Sequence, residues 1–134
     1  MNKYAKYADL PLRLSVGFHL IYGTQDNVFS WERMLEFRDF LEAFGTPMPL
    51  VAAFLSVYAQ FICGLFFIAG WKVKPAGGIM VVNFVIAILL VHLKDPYPAV
   101  YPAISMLAGS VFLLLNGAGN VSLDNWIKQK KATR

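Results

Sequence analysis

Long apolar runs alternate with short charged ones along this chain. No Asp, Glu, Lys or Arg occurs between Glu42 and Lys72, between Lys74 and Lys94, or between Asp95 and Asp124. A helix needs about 20 mostly apolar residues to cross about 30 Å of hydrocarbon, and each gap supplies them. The pattern predicts spans at residues 50–71, 75–93 and 101–117. Backbone inside hydrocarbon must satisfy its own hydrogen bonds, so each span is expected to be helical. The strict apolar–polar alternation of a membrane barrel is absent.

A fourth span is predicted at 10–29. Its uncharged part runs only from Leu14 to Gln25, and twelve helical residues reach about 18 Å. Extension to Leu10 and Phe29 gives the length and takes in Arg13 and Asp26 near the two ends. An arginine in that place can snorkel toward headgroups. A cleaved leader is the alternative, but Tyr22-Gly23-Thr24-Gln25-Asp26 offers no small-x-small cut site.

Residues 30–45 are charged and periodic together. Met34, Phe37, Leu41 and Phe44 recur at helical spacing, while Glu32, Glu36, Asp39 and Glu42 take other faces. Ser30 suits an N-cap, and Gly45 a stop with Pro47 and Pro49 beyond it. The segment is expected to be an amphipathic helix on the outer surface or across the end of the bundle; an ordered loop with some helix is the other reading. The tight Trp71–Pro75 link and the proline-rich 94–102 link favour antiparallel neighbours. The expected fold is all-α: one membrane domain over residues 1–134, an antiparallel four-helix transmembrane bundle with an amphipathic segment between helices 1 and 2.

Composition agrees. Of 134 residues, 57% are hydrophobic and only 15% charged, against about 25% charged in soluble domains, so a water-soluble enzyme is excluded. With four spans both termini share a side. That side carries Lys3, Lys6, Arg13, Lys72, Lys74, Lys128, Lys130, Lys131 and Arg134, against Arg33, Arg38 and Lys94 opposite. The positive-inside rule then places both termini in the cytoplasm. The net charge of +4 is accounted for by this topology and by contact with anionic lipid. Nucleic-acid binding is excluded, because the basic residues are scattered.

Polar residues inside spans are costly and face the interior. His19, Gln60 and Asn83 fall near mid-depth and His92 ends the third span; these four are the candidate ligand-binding residues. Simple interhelical hydrogen bonding is the competing account. The two histidines are offset by about 10–12 Å along the helices, too far for the two axial ligands of one haem. No zinc ligand set exists, so no metal site is expected. Cys63 is the only cysteine, which rules out a disulfide within the chain. Arg13 and Asp124 both fall at the cytoplasmic face and are expected to form a structural ion pair closing the bundle.

These residues, taken in order, resemble the DoxX-like membrane proteins. The matching features are Leu12-Arg13-Leu14 with Gly17 and Gly23, then Phe40-Leu41 followed by Gly45-Thr46-Pro47. Gln60, Gly64, Leu65 and Gly70 follow, with Lys72 and Lys74, then His92, and a tail reading Gly117-Ala118-Gly119-Asn120-Val121-Ser122-Leu123-Asp124. The resemblance covers roughly residues 10–127. It implies a four-helix inner-membrane protein, quinone-linked in some relatives and tied to thiol stress and soluble partners in others. A glutamate common in the family's second span is Gln60 here, and an acid near the start of the fourth is absent around Tyr101 and Pro102. A carboxylate can carry a proton; Gln60 cannot.

The expected function is therefore a quinone-linked redox protein or a subunit of a redox complex, with quinone as the implied cofactor. The alternatives are a non-catalytic membrane anchor for a partner protein and a small-solute permease assembled as a homo-oligomer. Embedded carboxylates, which a proton-driven transporter would use, are missing.

Overall fold

The computed structural model describes residues 2–133. A 3-10 turn at Ala5–Tyr7 leads into six helices: α1 (Asp9–Phe29), α2 (Trp31–Ala43), α3 (Pro49–Ala69), α4 (Val73–Ala87), α5 (Tyr97–Asn116) and α6 (Leu123–Ala132). A π turn, Ile88–His92, carries α4 on without a break. The protein is all-α. Among the described residues three helices, Pro49–Ala69, Val73–His92 and Tyr97–Asn116, are long and apolar enough to cross a membrane.

The helix ends follow from local chemistry. Ser30 is extended, and its hydroxyl accepts the Arg33 amide to cap α2. At the other end Gly45 has φ 76°, and Thr46 and Gly45 donate to the carbonyls of Leu41 and Glu42, the Schellman arrangement. Gly70 closes α3 in the same way at φ 73°. There the Trp71 amide reaches Phe66 O at 3.0 Å, and the Phe66 and Trp71 rings meet at 4.8 Å. This stop ends the second span at Ala69 rather than at residue 71. The last span starts at Tyr97, before the expected 101. Pro98 falls in the first turn, where an amide has no helical partner in any case, and Pro102 is accommodated inside the helix. The charged segment expected at 30–45 is a helix, with Met34 and Leu41 buried.

Two close approaches fix the packing. A Cβ on Gly17 would lie 2.9 Å from Gly64 O, so α1 and α3 touch backbone to backbone. A Cβ on Gly77 would lie 2.7 Å from Leu114 N, and α4 meets α5 in the same manner. Contacts of Gly17 with Gly64 and Ile68, and of Gly70 with Arg13, set α1 antiparallel to α3. Buried Val16 and Leu20 of α1, Cys63 and Phe67 of α3, Ala76, Met80 and Phe84 of α4 and Leu113 of α5 share one core. A second core joins Met34 and Leu41 of α2 to Ala53 and Val57 of α3. Large apolar side chains such as Phe18, Leu55, Val82, Ile86 and Leu115 remain more than half exposed, a surface that calls for lipid.

The chain's two ends interlock at the end of the molecule that holds the α3–α4 turn. Arg13 is 2% exposed and donates to Asp9 Oδ2 at 3.2 Å and to Val121 O at 2.6 Å. Asp9 also accepts the Gly119 amide at 2.8 Å, and the Asn120 amide reaches Lys6 O. The expected Arg13–Asp124 pair is therefore replaced. Asp9, one helical turn before Arg13 on the same face, takes the arginine. Asp124 instead accepts the amides of Lys72 at 2.7 Å and Val73 at 3.1 Å. That cap starts α4 at Val73, two residues before the expected 75. Arg13 is also buried, where snorkelling to headgroups was expected. Arg134, counted among the basic residues above, lies outside the described residues.

Candidate functional site

Two cavities flank α3. The first, about 470 Å³, lies between α3 and α4 and is closed at one end by Phe37, Phe40 and Leu41 of α2. Its walls are almost wholly apolar. Leu55, Ile79, Val82 and Ile86 line it and are also exposed on the surface, so it opens sideways between the two helices. One polar run crosses it: Gln60 Nε2 donates to Ser56 Oγ at 2.9 Å, and Ser56 Oγ donates to Asn83 Oδ1 at 2.9 Å. Among the described residues Asn83 enters hydrogen bonds only as an acceptor, so its amide N–H groups are free to face a ligand. Thr46, whose buried Oγ1 has no partner, also lines this cavity.

His92 lines the same cavity from the π turn. Its Nδ1 lies 2.9 Å from Asp95 Oδ2. The second cavity, about 500 Å³, is a groove between α1 and α5 lined by Ser15, His19, Tyr101 and Ser105, with Gln60 and Phe84 also contributing. His19 is exposed there, its Nδ1 on the Ser15 carbonyl at 2.7 Å.

Of the four candidate ligand-binding residues, the structure places Gln60, Asn83 and His92 on one cavity. His19 belongs to the other cavity, and Gln60, together with Phe84, borders both. Sequence reasoning singles out neither Ser56 nor Asp95, and Thr46 enters only within the Gly45-Thr46-Pro47 motif. Ser56 was findable, because it stands four residues before Gln60 and so shares its helix face. Asp95 sits three residues after His92, in turn backbone that periodicity does not describe. Cys63 is buried in the core and borders neither cavity. Among the described residues no three of His, Cys, Asp or Glu gather as a metal set would.

No curated protein and no solved structure matches the chain. The family model for DoxX matches residues 8–93, from the turn before α1 through the π turn. That stretch holds the whole of the first cavity and most of the chain, and the protein is a multi-pass membrane protein belonging to the DoxX family.

Proposed function

We propose that the protein is an inner-membrane four-helix bundle that binds a quinone in the α3–α4 cavity, acting as a redox protein or as a subunit of a redox complex. In this reading α1 is the fourth span and both termini are cytoplasmic. The observation that carries the proposal is an apolar cavity of about 470 Å³ crossed by the hydrogen-bonded Gln60–Ser56–Asn83 run. An apolar pocket with a few convergent polar groups is the usual form of a small-molecule site.

The residues present fit such a ring. Asn83 has N–H groups to donate to a ring oxygen, and its Oδ1 is held in place by Ser56. Gln60 spends one N–H on Ser56 and keeps its other N–H and its carbonyl for a ligand. The exposed Leu55, Ile79, Val82 and Ile86 leave a sideways path by which an isoprenoid tail can lie in lipid. A bound quinone supplies reversible two-electron, two-proton chemistry; the protein's part is to orient the ring, exclude water and offer hydrogen bonds.

The test is extraction of lipid from protein purified in native nanodiscs, followed by mass spectrometry. Stoichiometric quinone is expected with wild type, and severalfold less with Asn83→Leu. Equal retention by both, or none by either, overturns the assignment. The second reading, a membrane anchor for a partner protein, is favoured by α6, which buries none of its residues. A soluble protein that co-purifies with wild type and is lost on deleting 126–134 supports it.

A further inference from the structure

Among the described residues that line the α3–α4 cavity, one is a proton-exchanging group. The residues that line it are aliphatic, aromatic, hydroxyl or amide in character, with His92 as the exception. Any proton that a ligand gives up or takes there must therefore pass through His92 or through water.

His92 is built for the exchange. A carboxylate only accepts hydrogen bonds, so Asp95 Oδ2, 2.9 Å away, fixes the proton on Nδ1 and leaves Nε2 with its lone pair. The side chains of His92 and Asp95 are 25% and 38% exposed, so the pair connects the cavity wall to the outside. The π turn contributes as well. Its wider winding turns His92 back by about a quarter turn relative to an unbroken α-helix, and His92 lines the same cavity as Asn83, nine residues earlier. Two such residues are separated by roughly 13 Å of helical rise, so they occupy opposite ends of the cavity. His19 offers a contrast. Its Nδ1 bonds to a neutral carbonyl, which fixes the ring but does not balance a positive charge.

We infer that His92, oriented by Asp95, is the proton acceptor of the cavity for a ligand hydroxyl of the phenol or hydroquinone class. This rests on the reading that the cavity binds a ring. The ligand O–H bond breaks, an Nε2–H bond forms, and the electron pair stays on the ligand oxygen. The cationic imidazole is balanced by the Asp95 carboxylate, and loss of the proton to outside water restores the neutral ring. The charged and titratable neighbours in this turn are Asp95, Lys94 and Tyr97; the cavity walls on α2 and α3 add none.

The chain has two histidines, so ¹⁵N-labelled histidine in nanodisc-held protein gives two ring systems, assigned with His19→Gln. Before any ligand is added, the neutral His92 ring is expected to show a protonated Nδ1 and a bare Nε2; the reverse tautomer overturns the inference. Anaerobic duroquinol, and p-cresol as a redox-inert hydroxyl, are then added, with uptake followed by equilibrium dialysis. Both probes are expected to shift His92 Nε2 and leave His19 still, and the response is expected to be lost in Asp95→Asn while uptake continues. Bound probe with an unmoved His92 overturns the inference but leaves the quinone reading intact. Uptake of p-cresol with the His92 shift, but no uptake of duroquinol, upholds the inference and overturns the quinone reading.

Discussion

Arg13 shows how a single charge is held inside an apolar chain. It is 2% exposed, with Asp9 at 3% beside it; from the far end of the chain the Val121 carbonyl accepts from Arg13 and the Gly119 amide donates to Asp9. Removing one partner of such a pair leaves the other charge buried and alone, which costs about 3–5 kcal/mol. Asp9→Leu is expected to lose stability on that scale, and the double variant Asp9→Leu/Arg13→Met to recover most of it. Cys63 is free and buried, so its rate of maleimide labelling in detergent reads the unfolded fraction directly. The importance of Arg13 was legible in the sequence, since an arginine bordering an apolar run needs a partner. The partner expected from the sequence is Asp124, but the structure pairs Arg13 with Asp9. Which carboxylate an arginine meets depends on what else competes for each acid, and the backbone amides of Lys72 and Val73 do not show in a sequence.

At the scale of elements, local signals were readable and remote ones were not. Ser30, Gly45 and Gly70 mark their helix ends in the sequence, and the structure uses all three. The start of α4 depends on Asp124, 51 residues away from Val73, so no window around Val73 could have located it. Asp124→Ala is expected to cost about 1–2 kcal/mol and to speed amide exchange at Lys72 and Val73 while α5 keeps its protection. The helix α6 was missed for a related reason: its ten residues hold too little apolar surface to stand out from a basic tail. Helix contacts give a sharper test. Gly17→Val must push against Gly64 O and is expected to destabilise by about 1–3 kcal/mol. Gly23 has nothing within 4 Å of its would-be Cβ, so Gly23→Ala is expected to stabilise by about 0.5–1 kcal/mol, as it would in an ordinary helix interior. Thermal melts of the two variants by circular dichroism decide whether close approach or mere glycine content matters. The candidate site was partly legible at this scale: Gln60 and Asn83 were singled out as polar residues within spans, but the π turn that places His92 has no sequence signature.

Across the whole molecule the two ends treat their cations differently. At the end where the termini interlock, Lys3, Lys6, Lys72 and Lys130 lie over the rings of Tyr4, Tyr7, Trp71 and Trp126 at 4.8–5.3 Å. At the end that holds α2, Arg33 and Arg38 are matched with Glu36 and Asp39. Lysines beside amphipathic rings suit a headgroup layer, and each is worth about 1 kcal/mol against an anionic surface. Lys128→Gln/Lys130→Gln/Lys131→Gln is expected to lower co-purified anionic phospholipid severalfold without changing the melting temperature; native mass spectrometry reads the first and circular dichroism the second. The asymmetry was visible as a nine-to-three split in basic residues, whereas the ring beneath each lysine required the fold.

The interlocked ends also set a timetable. Asp9 and Arg13 are four residues apart, so this pair lies within a single turn of α1. The other partners, Gly119 and Val121, are made 110 and 108 residues later. At about 5–20 residues per second the first helix waits roughly ten seconds before its end is sealed. A nascent chain shorter than 119 residues holds the Asp9–Arg13 pair but lacks the backbone partners at Gly119 and Val121.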